Sequence, residues 1–173
     1  MKNLLWLDLE TTGLDPALDD ILMVGVARTD EAGVIIESGE WVVDSNIRNS
    51  ELDPVVLKMH TENGLLDRVR SREAKPLLAV ELHLLEFIGD SKPTLAGNNI
   101  GFDCGFIRAH MRDAYAALEY RTGDIRKLDV SMLRRAARAW GLPDYPKTKA
   151  HLALDDVKAS IAEFLHWKKA FGR

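Results

Sequence analysis

The feature that most constrains the fold comes first in the chain. Leu4-Leu5-Trp6-Leu7-Asp8-Leu9-Glu10 alternates leucines with Trp6, Asp8 and Glu10, and Thr11-Thr12-Gly13 follows. A period of two is that of a β-strand, so Asp8 and Glu10 point to one side, and Thr-Thr-Gly breaks the strand into a turn. Two carboxylates that close together on an apolar strand repel each other and lose hydration unless cations compensate. Hard divalent ions with oxygen ligands, Mg²⁺ or Mn²⁺, are the natural match. A frayed, solvated strand end could carry the same two acids, so the remaining chain must decide.

The length, 173 residues, suits one domain with a substantial core. No apolar run approaches a membrane span and the start has no signal-peptide pattern, so a cytoplasmic protein is expected. Cys104 is the only cysteine, which rules out disulfide frameworks and cysteine-based zinc sites. A net charge of −4 argues against gripping long nucleic acid by broad phosphate neutralisation. It leaves room for a small nucleotide whose charge is met by bound metal.

Two further apolar runs, Ile21 to Ala27 and Val34 to Val43, flank the turn cluster Asp30-Glu31-Ala32-Gly33 and complete an antiparallel meander. Gly25 inside the Ile21 to Ala27 run suggests a close approach. Asp53-Pro54 signals a helix start, with a short helix to Met59 and His60 to Leu65 as a loop. Helical spacing recurs from Pro76 to Ile88, and a short strand is expected at Thr94 to Ala96, ended by Gly97-Asn98-Asn99. A helix from Phe102 to Met111 carries Asp103 in its first turn. A last strand at Leu128 to Val130, a helix from Ser131 to Trp140, a loop from Gly141 to Lys149 and a final helix to about Lys169 complete the order. This is an α/β fold with a mixed sheet, whose ligand sites gather at strand ends.

Four carboxylates stand at such ends or beside them: Asp8, Glu10, Asp103 and Asp156, with His151 five residues before the last. Four acids in one cleft could bind two divalent cations that stabilise the attacking and leaving oxygens of phosphodiester cleavage. A histidine beside them, with an ordinary pKa near neutrality, could deprotonate the attacking water.

Asp8-Leu9-Glu10-Thr11-Thr12-Gly13, Asn98-Asn99-Ile100-Gly101-Phe102-Asp103 and His151-Leu152-Ala153-Leu154-Asp155-Asp156 occur in the order of three exonuclease motifs. The set resembles the DEDDh family of 3′→5′ exonucleases across nearly the whole chain. The resemblance implies a single exonuclease domain over residues 1–173, with a ribonuclease H-like, five-stranded mixed sheet flanked by helices. It implies that Asp8, Glu10, Asp103 and Asp156 hold two ions, that His151 is the general base, and that Asp156 rather than Asp155 is the ligand. His60-Thr61-Glu62-Asn63-Gly64-Leu65, Gly97 to Gly101 and Arg126 to Ser131 are similar to segments of the oligoribonuclease branch, which degrades very short RNAs. That likeness implies a homodimer, Leu14 wedged against a base, and His60, Asn99, Arg126 and Ser131 near a 5′ phosphate. Asn99 replaces a serine, and Val55 stands where many members have a base-stacking tryptophan. An insertion around Tyr120 to Ile125 leaves Arg121 as the alternative to Arg126. Thr11-Thr12 and Phe102-Asp103 are similar instead to polymerase-proofreading exonucleases, so single-stranded DNA is the alternative substrate. A catalytically silent binding module is a third reading, opposed by the five competent residues.

Other residues carry plainer expectations. Asp15, Asp129 and Asp155 are expected as surface or capping residues, and His83, His110 and His166 as surface or packed histidines. Cys104 is expected to pack, since nothing nearby in sequence lowers its pKa. Trp6, Trp41, Trp140 and Trp167 are expected in the core. Basic residues exceed acidic ones from Arg121 to Lys149, as a solvated helix face or a phosphate-facing patch would require.

Overall fold

A computed structural model describes residues 4–90, 92–119, 125–146 and 151–172. Strands β1 (Leu4–Thr11), β2 (Ile21–Thr29) and β3 (Ile35–Val42) form the expected antiparallel meander. Helices α1 (Pro54–Glu62), α2 (Leu65–Val69) and α3 (Leu77–Ile88) lead to β4 (Thr94–Gly97), which pairs parallel to β1. Helices α4 (Ile100–His110) and α5 (Arg112–Leu118) lead to β5 (Lys127–Asp129), parallel to β4; α6 (Val130–Ala139) and α7 (Ala153–Ala170) follow. The sheet order is β3-β2-β1-β4-β5. Helical crossovers supply the length that parallel pairing demands.

β1 is the central strand, and its alternation sorts two cores. Leu5, Leu7 and Leu9 face α3, α4 and α5 through Val80, Leu84, Phe106, Ile107 and Ala114. Leu4 and Trp6 face α6 and α7 through Val130, Val157, Phe164 and Trp167. Apart from Asp8, which is half-buried, every β1 residue is buried, as expected for a strand covered on both faces. Asp8 and Glu10 share parity with Trp6, so they stand on the side of the sheet that α7 covers.

Side-chain capping sets two helix starts. The Asp53 carboxylate accepts from Val55 N–H at 2.8 Å with Pro54 at the first helical position. Asp129 does the same for α6, accepting from Ser131 N–H at 2.9 Å. Asp129 is therefore a capping residue, and Val130 starts a helix instead of ending a strand.

Some expectations need correction. The Asn63-Gly64 break lies three residues beyond His60, so α1 runs through Glu62 and His60 belongs to its last turn, fully buried, not to a loop. Leu65–Val69 and Arg112–Leu118 are helical where no element was expected, because short apolar groups there bury against the cores. Trp140 is 68 % exposed and packs edge-on against Phe171, outside the core. Trp41 is half-buried and stacked on His83. No helix among the described residues is long and apolar enough to cross a membrane.

Candidate active site

The carboxylate end of β1 opens into a cleft of about 310 Å³. Asp8, Glu10, Asp103, His151 and Asp156 all line it, together with Leu14 and Asn99. Residues as far as 148 positions apart in sequence are brought here by three elements: β1, the first turn of α4 and the start of α7.

The approach of α7 depends on one missing side chain. Gly25 pairs with Asp8 across β1 and β2, and a Cβ built on it would lie 2.4 Å from the Ala153 carbonyl carbon and 2.5 Å from Leu154 N. The first turn of α7 thus rests directly on the sheet beside Asp8, and Asp156 follows in that turn. Leu154 N–H donates to Glu40 of β3 at 3.3 Å, which pins the helix start. Arg68 of α2 steadies Glu40 in turn at 2.8 Å. Gly25→Ala is expected to push this turn away, lowering stability by about 1–3 kcal/mol and lowering activity at a metal concentration that saturates the wild type. A melting temperature and rate equal to those of the wild type would contradict the contact.

Asp103 is 3 % exposed, and its Oδ1 accepts from Leu9 N–H at 2.9 Å. Burial pushes its carboxyl up to about 7, against the lowering effect of the Leu9 hydrogen bond, and nearby Asp129 adds to the rise. A protein does not hold a carboxylate under such a penalty cheaply. Asp156 is also buried, and its Oδ1 has no hydrogen-bond partner among the described residues. Glu10, His151 and Asp156 each offer one ligand atom, and these atoms all lie within 4.8 Å of one another. An orphaned buried oxygen, a disfavoured buried carboxylate and a cluster of carboxylate and imidazole donors are what a metal ion would relieve, so the residues present fit a metal ion. Asp155, by contrast, is exposed and paired with Lys158 at 3.0 Å.

His60 does not line the cleft. Its Nε2 donates to the Thr11 carbonyl at 3.1 Å and lies 4.0 Å from a Glu10 carboxylate oxygen, while Nδ1 is buried with no partner among the described residues. Burial lowers its pKa, against the raising effect of the Thr11 hydrogen bond, and nearby His151 adds to the lowering. Asn99 lines the cleft in a left-handed conformation (φ 63°), and its N–H donates to Asp129 at 3.0 Å. Ser131 donates to the same Asp129 through its backbone, so β5 and α6 join the cleft at Asn99. Arg126 is exposed just before β5; neither it nor Ser131 lines the 310 Å³ cleft, and Arg121 lies outside the described residues. Leu14 is 82 % exposed at the cleft rim. Val55, 73 % exposed, lines a neighbouring hollow of about 730 Å³ that shares Met59 and His151 with the cleft. Cys104 packs as expected, and burial raises its thiol to about 11. Sequence reasoning missed Glu40 and Asn63, which hold the backbone on either side of Leu152; their only signals are a polar residue on a strand and an Asn-Gly turn.

A sheet of this order with acids at the end of its central strand defines a class. Residues 5–164 match the exonuclease family (RNase_T), and the chain belongs to it: it is an exonuclease. Within that class, the oligoribonuclease of Vibrio cholerae serotype O1 is 35% identical over 98% of this chain and 95% of its own. That of Colwellia psychrerythraea is 36% identical over 98% and 96%. Among solved structures, exonuclease I without ligand superposes with a TM-score of 0.74 at 21% identity, covering 98% of this chain and 42% of that chain. The zinc-bound complex of E. coli exonuclease I with single-stranded DNA gives 0.77 at 21% identity, covering 100% of this chain and 42% of that chain. At such identity the likeness is one of fold alone, and this chain spans about two-fifths of exonuclease I.

Proposed function

We propose that the chain is a 3′→5′ exoribonuclease that hydrolyses short oligoribonucleotides, down to dinucleotides, to 5′-mononucleotides with two bound Mg²⁺ or Mn²⁺ ions. The observation that carries this reading is the convergence of Asp8, Glu10, Asp103 and Asp156 with His151 on one cleft. The four acids hold the cations, which when bound stabilise charge on the attacking and leaving oxygens. His151 takes a proton from the attacking water. The new bond forms between water oxygen and phosphorus, the bond from phosphorus to the upstream 3′ oxygen breaks, that oxygen takes up a proton to become a 3′-hydroxyl, and a nucleoside 5′-phosphate is released. The full-length likeness to oligoribonucleases supports RNA over the proofreading-like DNA alternative.

Leu14 at the rim is placed to wedge a base. Asn99, Ser131 and Arg126 form the 5′-phosphate set: Asp129 accepts from the backbone N–H of both Asn99 and Ser131, and Arg126 stands just before β5. His60 is left out of that set because its ring is buried against Thr11. The same reading takes the chain as a cytoplasmic homodimer, for which exposed Met132 on α6 and Trp140 at its C-cap offer apolar surface.

Contact at both ends of a dinucleotide measures length, because a longer chain must pass through the phosphate set. A 5′-phosphorylated diribonucleotide is therefore expected to show a higher kcat/KM than a long single-stranded RNA. Arg126→Ala should lower kcat/KM on the dinucleotide about tenfold to a hundredfold, the worth of a charged hydrogen bond, and leave the metal requirement unchanged. Equal or faster digestion of long single-stranded DNA, indifferent to a 5′ phosphate, would favour the DNA reading.

A further inference from the structure

His151 stands with φ 53°, in the left-handed region that a residue with a Cβ rarely adopts. Such a conformation persists only where the surroundings hold it. The partner that holds it comes from 88 residues away: the Asn63 side-chain amide donates to the His151 carbonyl. The Asn63 Oδ1 accepts from Leu65 N–H at 3.0 Å. A backbone donor on one end of the amide and a backbone acceptor on the other permit a single orientation, so the amide is not free to turn away.

The same end of α1 reaches the opposite wall of the site. His60, three residues earlier and thus one turn back on the same face, donates to the Thr11 carbonyl beside Glu10. Asn63 is the C-cap of α1, with its own N–H on the Met59 carbonyl, so both side chains share one rigid turn.

Resting on the reading of His151 as general base, we propose that Asn63 is a positioning residue: it fixes the His151 backbone in its left-handed conformation and so sets the imidazole against Glu10 and Asp156. Among the described residues its side chain bonds to backbone at both ends, the His151 carbonyl and Leu65 N–H, and its contribution passes through His151. A displacement of about 1 Å at a reacting centre can cost about a hundredfold in rate, so loss of the clamp should act on kcat.

The test is a double-mutant cycle with the full chain, saturating Mn²⁺ and a 5′-phosphorylated diribonucleotide. Asn63→Asp keeps the acceptor for Leu65 N–H, and with it the turn, but sets an oxygen against the His151 carbonyl. Asn63→Ala removes both bonds. Each variant should lower kcat about tenfold to a hundredfold with KM within about twofold of the wild type. In a His151→Ala background neither should cost more than about twofold further, because the group it positions is gone. If Asn63→Ala does not fold, Asn63→Asp alone decides. Undiminished kcat in Asn63→Asp while His151→Ala is slow would overturn the clamp, as would a full additional loss in the His151→Ala background. A normal kcat in His151→Ala would overturn the catalytic reading beneath it, which is a different result.

Discussion

Asp103→Asn is expected to abolish most activity while making the metal-free protein more stable. The amide has nearly the shape of the carboxylate, and its oxygen can still accept from Leu9 N–H, the bond Asp103 makes at 2.9 Å. What disappears is a negative charge in an almost fully buried position. For metal binding that charge is an asset, and its loss should lower kcat by about 10²–10³-fold, the order seen when one charge-stabilising group is removed from a reacting centre. For the fold without metal it is a cost. The Asp103 carboxyl is raised from 3.8 to about 7, chiefly by burial. A raised pKa means that the folded state holds the proton more tightly than the unfolded one. The associated stability is fully present below about pH 4 and is lost as pH rises through about 7. Wild type in EDTA should therefore fall behind Asp103→Asn in melting temperature between pH 5 and pH 8, with the gap widening across that window. Saturating Mn²⁺ should reverse the order, since only the wild type has the full set of acids. A variant with near-normal turnover at saturating Mg²⁺ would sink the assignment of Asp103 to the metal site.

His151→Ala is the second large effect, with kcat expected to fall about 10²–10⁴-fold, the usual worth of general-base assistance. The dinucleotide's KM should barely change, since the imidazole does its work in the chemical step. His151 also belongs to the group of three donors that could share one ion, and the two roles separate in a metal titration. A base leaves the Mn²⁺ concentration for half-maximal rate in place. A shift of that midpoint with kcat restored at high Mn²⁺ would make His151 a ligand instead.

Local periodicity made most of the scaffold legible. The two-residue repeat from Leu4 to Glu10 placed Asp8 and Glu10 on one face, and the observed strand does so because that pattern is a property of extended backbone, not of packing. Asp53-Pro54 marked a helix start for the same reason: capping is settled within three residues. The alternative between Asp155 and Asp156 shows where such reasoning stops. Both are acids in the first turn of α7, and only the seating of that turn against Gly25 turns Asp156 inward and leaves Asp155 to Lys158.

His60 illustrates a different limit. The helix was expected to stop at Met59, but its break is the Asn63-Gly64 pair, and a helix of nine residues reaches two positions past His60 before that break acts. What buries the ring on the Thr11 carbonyl is an approach between segments 49 residues apart. Trp140 errs in the other direction: aromatic character favours burial, yet α6 directs it to the edge, against Phe171.

The chain by itself determined the strand with its paired acids, the order of elements around it, and the residue types able to hold metal and move a proton, because these depend on short-range backbone geometry and side-chain chemistry. Tertiary structure alone decided which acid is driven to a pKa of about 7, which oxygen is left without a partner, and which asparagine holds the histidine. Those are consequences of burial and of contacts across 88 or more residues, and neither desolvation nor a distant donor leaves a mark on the local pattern.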